Sequence, residues 1–114
     1  MADGVKEFLQ QWKADNAKMQ KLMPDAIKSF GGMFQSIMKD GALSLKQKEL
    51  IALAVGLAVR CEPCIILHVQ KCLAAGATKE EILDAASVVI MMQGGPSYTH
   101  IPKVIDALEA LAPE

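Results

Sequence analysis

The chain has 114 residues, which is enough for one domain and too few for a second independent core. Its 52% hydrophobic composition excludes intrinsic disorder. With a formal net charge of −1, the chain lacks the excess of positive charge that nucleic-acid binding requires. Three cysteines are too few for a secreted disulfide framework, and neither a signal-peptide pattern nor a membrane-spanning run is present, so we expect a cytoplasmic protein with no nucleic-acid and no membrane partner.

Apolar residues at spacings of three and four predict two helices in the first 43 residues. The first ends near Met23, and the second begins at Pro24, a residue suited to a first helical turn, with Gly41 as the residue past its end. Gly31-Gly32 predicts a kink or a close helix contact. The second helix has an apolar face formed by Ile27, Phe30, Phe34, Ile37 and Met38.

The third and fourth helices meet at a junction before Pro63. Ser44 with Gln47 forms a capping box, in which each side chain satisfies a backbone N–H of the first turn, and the helix that it opens runs to about Val59. Pro63 fits the first turn of a new helix and would break the interior of an old one. The fourth helix then ends at Gly76.

A second capping box, Thr78 with Glu81, opens a fifth helix that is apolar on almost every side as far as Met92. Such a helix belongs in the middle of a bundle or of an oligomer. The break at residues 94–96 (Gly-Gly-Pro) separates it from a last amphipathic helix at residues 101–111. The sequence therefore predicts an all-α fold, a bundle of about six helices that assembles into a symmetric oligomer.

One group of residues has the composition of a thiol active site. Cys61 and Cys64 bracket the beginning of the fourth helix, where free N–H groups and the helix dipole favour thiolate over thiol. His68 follows Cys64 by one turn, so its imidazole can accept a proton directly or through water. Glu49, on the preceding helix, can orient that imidazole if the two helices are antiparallel. Nucleophile, base and orienting carboxylate are thus all present.

Simpler interpretations account for some of these residues. One alternative is a zinc site formed by Cys61, Cys64, His68 and Cys72. These residues extend along one helix too far to surround a single ion, so we expect no metal. The cysteine pair could be structural, and Glu49 could be an ordinary surface carboxylate. Cys72, two turns after Cys64 among Ala and Leu, is interpreted as a core residue.

The full pattern Glu49-x11-Cys61-x2-Cys64-x3-His68 resembles the signature of the alkylhydroperoxidase D-like branch of the carboxymuconolactone decarboxylase family. The resemblance includes the turn at residues 74–82 and the Gly-Gly-Pro break. We therefore treat 1–114 as a single domain, with 44–111 as the family-like core and 1–43 as N-terminal helices outside the resemblance.

The resemblance implies a helical bundle assembled as a homo-oligomer, a trimer or hexamer, that reduces hydroperoxides or disulfides. It implies that Cys64 is the reactive thiolate, that Cys61 resolves it as a disulfide, and that Glu49 and His68 form a proton relay. One position departs from the pattern: members with peroxidase activity can carry a histidine just before the reactive cysteine, where this chain has Pro63.

No GxGxxG motif for a flavin or nicotinamide is present, so no bound cofactor is expected and the electrons must come from an external thiol or dithiol donor. Two other functions stay open at this point. The chain could be a redox-sensing or scaffold subunit whose disulfide switches an interface without turnover. It could also be a non-redox enzyme of the carboxymuconolactone decarboxylase kind, although that branch uses no redox cysteine pair.

Overall fold

A computed structural model describes residues 2–113, and every regular element in that range is helical, as predicted. Six of the seven helices described are longer than one turn, and α6 is a single turn, so the expectation of about six helices is confirmed. The helices are α1 (Ala2–Leu22), α2 (Pro24–Ile37), α3 (Leu45–Ala58), α4 (Glu62–Ala74), α5 (Lys79–Gln93), α6 (Gly95–Tyr98) and α7 (Ile101–Leu111).

The core lies between α3, α4, α5 and α7, and α1 packs against α7. Glu49 contacts His68, and Gly56, which is later in α3, lies against Cys64, which is earlier in α4. The two helices are therefore antiparallel. The largest fully buried apolar side chains of the core are Leu53, Leu57, Ile65, Val69, Ile82 and Val104.

Both predicted capping boxes are present. The Gln47 N–H donates to Ser44 Oγ at 3.1 Å, and the Ser44 N–H donates to Gln47 Oε1 at 2.8 Å. Thr78 and Glu81 make the same two bonds at the start of α5. Lys46 Nζ donates to Glu81 at 2.9 Å. This bond and the bond from the Thr78 backbone N–H hold the pKa of the half-exposed Glu81 carboxyl below its ordinary value. The first turns of α3 and α5 are thereby joined.

A tight reversal connects α3 to α4. The Cys61 N–H donates to the Gly56 carbonyl at 2.9 Å and the Arg60 N–H to the Leu57 carbonyl at 3.1 Å, the pair of bonds that defines a Schellman motif. Arg60 occupies the left-handed region with φ 57°, which glycine usually occupies at this position. The motif turns the chain within three residues, and Cys61 becomes the N-cap of α4.

Two expectations about α2 are wrong. The helix ends at Ile37, one turn before Gly41, because Lys48 of α3 donates to the Ile37 carbonyl at 2.8 Å and satisfies the helix end there. Gly31-Gly32 does not interrupt the helix, which continues through both residues, and makes no close helix contact, because a Cβ on either would meet nothing within 4 Å.

Parts of the predicted apolar surface stay uncovered in the single chain. One side of α5 is buried in the core, whereas Val88, Met91 and Met92 are 55%, 71% and 74% exposed. No residue of α2 is buried. None of the helices described between residues 2 and 113 combines the length and apolar character of a membrane span.

Candidate functional site

The two cysteines of the motif lie at the beginning of α4 and form a disulfide, with their Cα atoms 5.2 Å apart. Cys61 is the N-cap, and its Sγ accepts the N–H of Cys64 at 3.3 Å, the bond that Ser or Asp usually provides. Both side chains are half-buried. Cys64 therefore sits in the first turn, where free N–H groups and the helix dipole stabilise a negative sulfur once the disulfide is reduced.

Gly56 gives α4 its close approach to α3 at Cys64. A Cβ built on Gly56 would lie 2.9 Å from Cys64 Cβ, closer than real atoms pack, and in ordinary contact with the Cys64 carbonyl carbon at 3.6 Å. Sequence reasoning missed this residue, although a glycine inside the apolar run of α3 costs about 1 kcal/mol of helix propensity and so signals a packing requirement.

Glu49 and His68 meet between α3 and α4. His68 Nδ1 lies 2.9 Å from Glu49 Oε1, and the two side chains are 18% and 5% exposed. A carboxylate accepts, so the neutral ring carries its proton on Nδ1 and presents Nε2 as the basic nitrogen. His68 follows Cys64 by four residues, so their Cα atoms are separated by about 6 Å along the helix axis.

A cleft of 260 Å³ opens beside this pair and is lined by residues from α2, α3 and α4, Glu49 among them. Phe34 of α2 stacks on His68 with ring centroids 6.4 Å apart and planes 22° apart. Lys71 Nζ lies 4.1 Å from the centroid of the same Phe34 ring. The sequence placed Phe34 on an apolar face but indicated no connection to the site.

Cys72 is the free cysteine, and it is fully buried, as its apolar surroundings predicted. Burial, with a smaller contribution from the charge of Glu49, raises the pKa of the Cys72 thiol to about 12. The thiol is therefore protonated and unreactive at neutral pH. Between residues 2 and 113, no three His, Cys, Asp or Glu side chains converge as metal ligands would.

The profile of the carboxymuconolactone decarboxylase family matches residues 24–110. The match begins with α2, so it also covers the helix that contributes Phe34. Among sequence relatives, an uncharacterized protein 4 in the cox locus of Paracoccus denitrificans is 35% identical over 83 residues, covering 73% of this chain and 75% of the relative.

Solved structures of the same family have the same fold. A carboxymuconolactone decarboxylase family protein from Legionella pneumophila superposes with a TM-score of 0.85 at 37% identity, covering 95% of this chain and 94% of that one. A family protein from Thermotoga maritima, described as "possibly involved in antioxidative response", gives a TM-score of 0.78 at 27% identity, with 90% and 87% coverage.

Proposed function

Because the chain belongs to the carboxymuconolactone decarboxylase family, we propose that it is a thiol-dependent oxidoreductase of the alkylhydroperoxidase D-like kind. Its substrates are hydroperoxides or disulfides, and Cys61 and Cys64 are its redox pair. The observation that supports this most strongly is the disulfide at the start of α4, with His68 one turn along that helix and hydrogen-bonded to Glu49 of α3.

The reaction begins with the reduced pair. His68 Nε2 takes the proton of Cys64, and the thiolate attacks the distal oxygen of a hydroperoxide, breaking the O–O bond. The departing alkoxide takes the proton back from His68 and leaves as an alcohol, while Cys64 becomes a sulfenic acid. With a disulfide substrate, the same thiolate attacks one sulfur, and Cys64 becomes a mixed disulfide as a thiolate leaves.

Cys61 completes the cycle from its position at the N-cap. Its sulfur attacks Cys64 Sγ and forms the Cys61–Cys64 disulfide, releasing water from the sulfenic acid or a second thiol from the mixed disulfide. An external dithiol then reduces this disulfide in two exchange steps and leaves oxidised. Two electrons thus pass from the donor to the substrate, and a reducing compartment such as the cytoplasm provides such donors.

Glu49 acts in this cycle through His68. Its buried carboxylate holds the ring in the tautomer that leaves Nε2 basic, and it stabilises the imidazolium that forms when the Cys64 proton is transferred. This assignment gives Glu49 a reason to be buried at 5% exposure in a helix whose other buried residues, Leu53, Gly56 and Leu57, are uncharged. The proposed relay consists of Glu49 and His68, because Pro63 carries no group that could transfer a proton.

We also propose that the active form is a homo-oligomer, a trimer or hexamer. The single chain exposes 7433 Å², whereas a monomer of 12.3 kDa exposes about 6,100 Å² by size scaling. The excess of roughly 1,300 Å² exceeds the ~800 Å² that each partner buries in a standard interface. Apolar side chains that would form such contacts are exposed on α3 and its C-cap and on α5: Ile51, Val55, Val59, Val88, Met91 and Met92.

The test is hydroperoxide turnover with a dithiol donor at neutral pH. We expect Cys64→Ser to abolish turnover, and Glu49→Gln or His68→Gln to slow it about 10²- to 10⁴-fold, the usual effect of losing a general base. The double variant should be little slower than either single one, because the two residues act as a unit. His100→Gln is the matched control, since His100 bonds the Pro96 carbonyl and lies outside the site.

Two outcomes contradict the proposal. Rates of the relay variants within about threefold of the parent would remove Glu49 and His68 from the mechanism. If the cysteine pair is oxidised once and no dithiol donor supports turnover, the result would instead fit a redox-sensing subunit whose disulfide alters an interface. Each variant is checked for oligomeric state, so that loss of assembly is not mistaken for loss of chemistry.

A further inference from the structure

The second helix has an unusual relation to the rest of the molecule. None of its residues is buried, and Phe30, Met33 and Ile37 are 63%, 54% and 52% exposed. Phe34 is half-buried, as are Ile27 and Gly31, and its ring lies beside that of His68 on α4. Phe34 thus connects α2 to the side chain of His68.

The Phe34 ring supplies a restraint that the Glu49 hydrogen bond cannot supply. A single bond from Nδ1 to a carboxylate oxygen 2.9 Å away leaves the imidazole free to swing about its side-chain torsions whenever that bond opens. The Phe34 ring lies nearly parallel to the imidazole, with planes 22° apart and centroids 6.4 Å apart, and so limits that swing. Without Phe34, Nδ1 would spend part of its time away from Glu49, and the ring proton would then be free to occupy either nitrogen.

Lys71 in turn holds the Phe34 ring. Its ammonium lies 4.1 Å from the ring centroid, within the range of a cation–π interaction, and it follows His68 by three residues on the same face of α4. Phe34 and Lys71 also line the cleft that leads to Glu49. The three side chains thus share one cleft.

We propose that Phe34 is a positioning residue for His68, held over the ring by Lys71, and that α2 thereby forms part of the reactive site. The inference rests on the proposed function for its kinetic consequence but not for its structural one. It assigns a role to a helix that lies outside the cysteine motif.

The experiment compares Phe34→Ala, Phe34→Leu and Phe34→Tyr with the matched control Phe30→Ala, one turn earlier on the same helix and 63% exposed. The reduced protein is studied by NMR of the histidine ring nitrogens, which distinguishes the Nδ1–H from the Nε2–H tautomer. The chain has two histidines, so His100 is an internal reference. The rate of Cys64 oxidation by hydroperoxide is measured on the same samples.

We expect Phe34→Ala and Phe34→Leu to mix the His68 tautomers and to slow Cys64 oxidation by about tenfold, within the range for a misplaced catalytic group. Phe34→Tyr keeps the ring and should stay within about twofold of the parent, as should Phe30→Ala. Leu fills the space without a flat face, so its failure shows that stacking is required.

An unchanged His68 tautomer in Phe34→Ala, or equal effects of Phe34→Ala and Phe30→Ala, would overturn the inference. Failure of the proposed function gives a different result: His68→Gln would then leave Cys64 oxidation unchanged, while the tautomer spectrum of Phe34→Ala would still report whether the ring is positioned.

Discussion

Replacing Gly56 by alanine tests whether the close approach of α3 to α4 places Cys64. The new Cβ would lie 2.9 Å from Cys64 Cβ and 3.6 and 3.8 Å from its carbonyl carbon and Cα. A normal carbon–carbon contact is about 3.5–4.0 Å, so the start of α4 must move by roughly 0.6–1 Å. The atom that obstructs the methyl group is Cys64 Cβ, which is fixed to the backbone and cannot rotate away.

The net effect on stability combines two opposite terms. Overpacking costs about 1–3 kcal/mol, and the gain in helix propensity from Gly to Ala returns about 1 kcal/mol. Gly56→Ala should therefore lower the free energy of unfolding by about 0–2 kcal/mol. Gly32→Ala is the matched control, because its Cβ meets nothing within 4 Å and only the propensity gain of about 1 kcal/mol remains.

The assays are urea unfolding of both variants and the rate of Cys64 oxidation by hydroperoxide. We expect Gly56→Ala to react about 10- to 100-fold more slowly, because displacements near 1 Å have effects of this size on positioned groups. Gly32→Ala should react at the parental rate and unfold at higher urea. If Gly56→Ala is stabilised as much as Gly32→Ala and reacts equally fast, Gly56 does not position Cys64.

Three further predictions concern stability and assembly. Because the pKa of Cys72 is raised from 9.0 to about 12, the unfolded chain loses this proton first, and stability should fall as pH rises above 9. Urea unfolding of the oxidised protein should show a loss of unfolding free energy on the order of 1 kcal/mol by about pH 10. Cys72→Ala should remove this pH dependence. An equal pH dependence in the parent and the variant would contradict the prediction. Arg60→Gly should raise the unfolding free energy by about 0.5–1 kcal/mol by relieving the left-handed conformation, whereas Gly76→Ala, at φ 93°, should lower it by a similar amount. Light scattering should give an oligomer that Met91→Lys dissociates; a monomer at micromolar concentration would contradict the proposed assembly.

Local rules predicted the helix boundaries well. The capping boxes at Ser44 and Thr78, Pro63 in a first turn and Gly76 after a last turn each depend on residues within a few positions of one another. The antiparallel arrangement that brings Glu49 to His68 was also within reach, because the short connection between α3 and α4 leaves few alternatives.

The errors arose where a distant residue determines the outcome. The end of α2 depends on Lys48, which reaches back from α3 to the Ile37 carbonyl, and nothing within α2 indicates that partner. The glycines had to be distinguished by their neighbours: Gly31 and Gly32 face open space, whereas Gly56 faces Cys64. Phe34 was missed as a site residue for the same reason, since its contact with His68 joins helices that are far apart in sequence.

Hydroperoxide should oxidise Cys64 and Cys61 together and leave Cys72 reduced. This is tested by mass spectrometry of the fully reduced protein before and after one equivalent of hydroperoxide, with denaturing alkylation and peptide mapping. We expect a loss of about two mass units, a Cys61–Cys64 crosslink and an alkylated Cys72. An unchanged mass, or oxygen added at Cys72 with Cys61 and Cys64 still reduced, would show that Cys61 and Cys64 are not the redox pair.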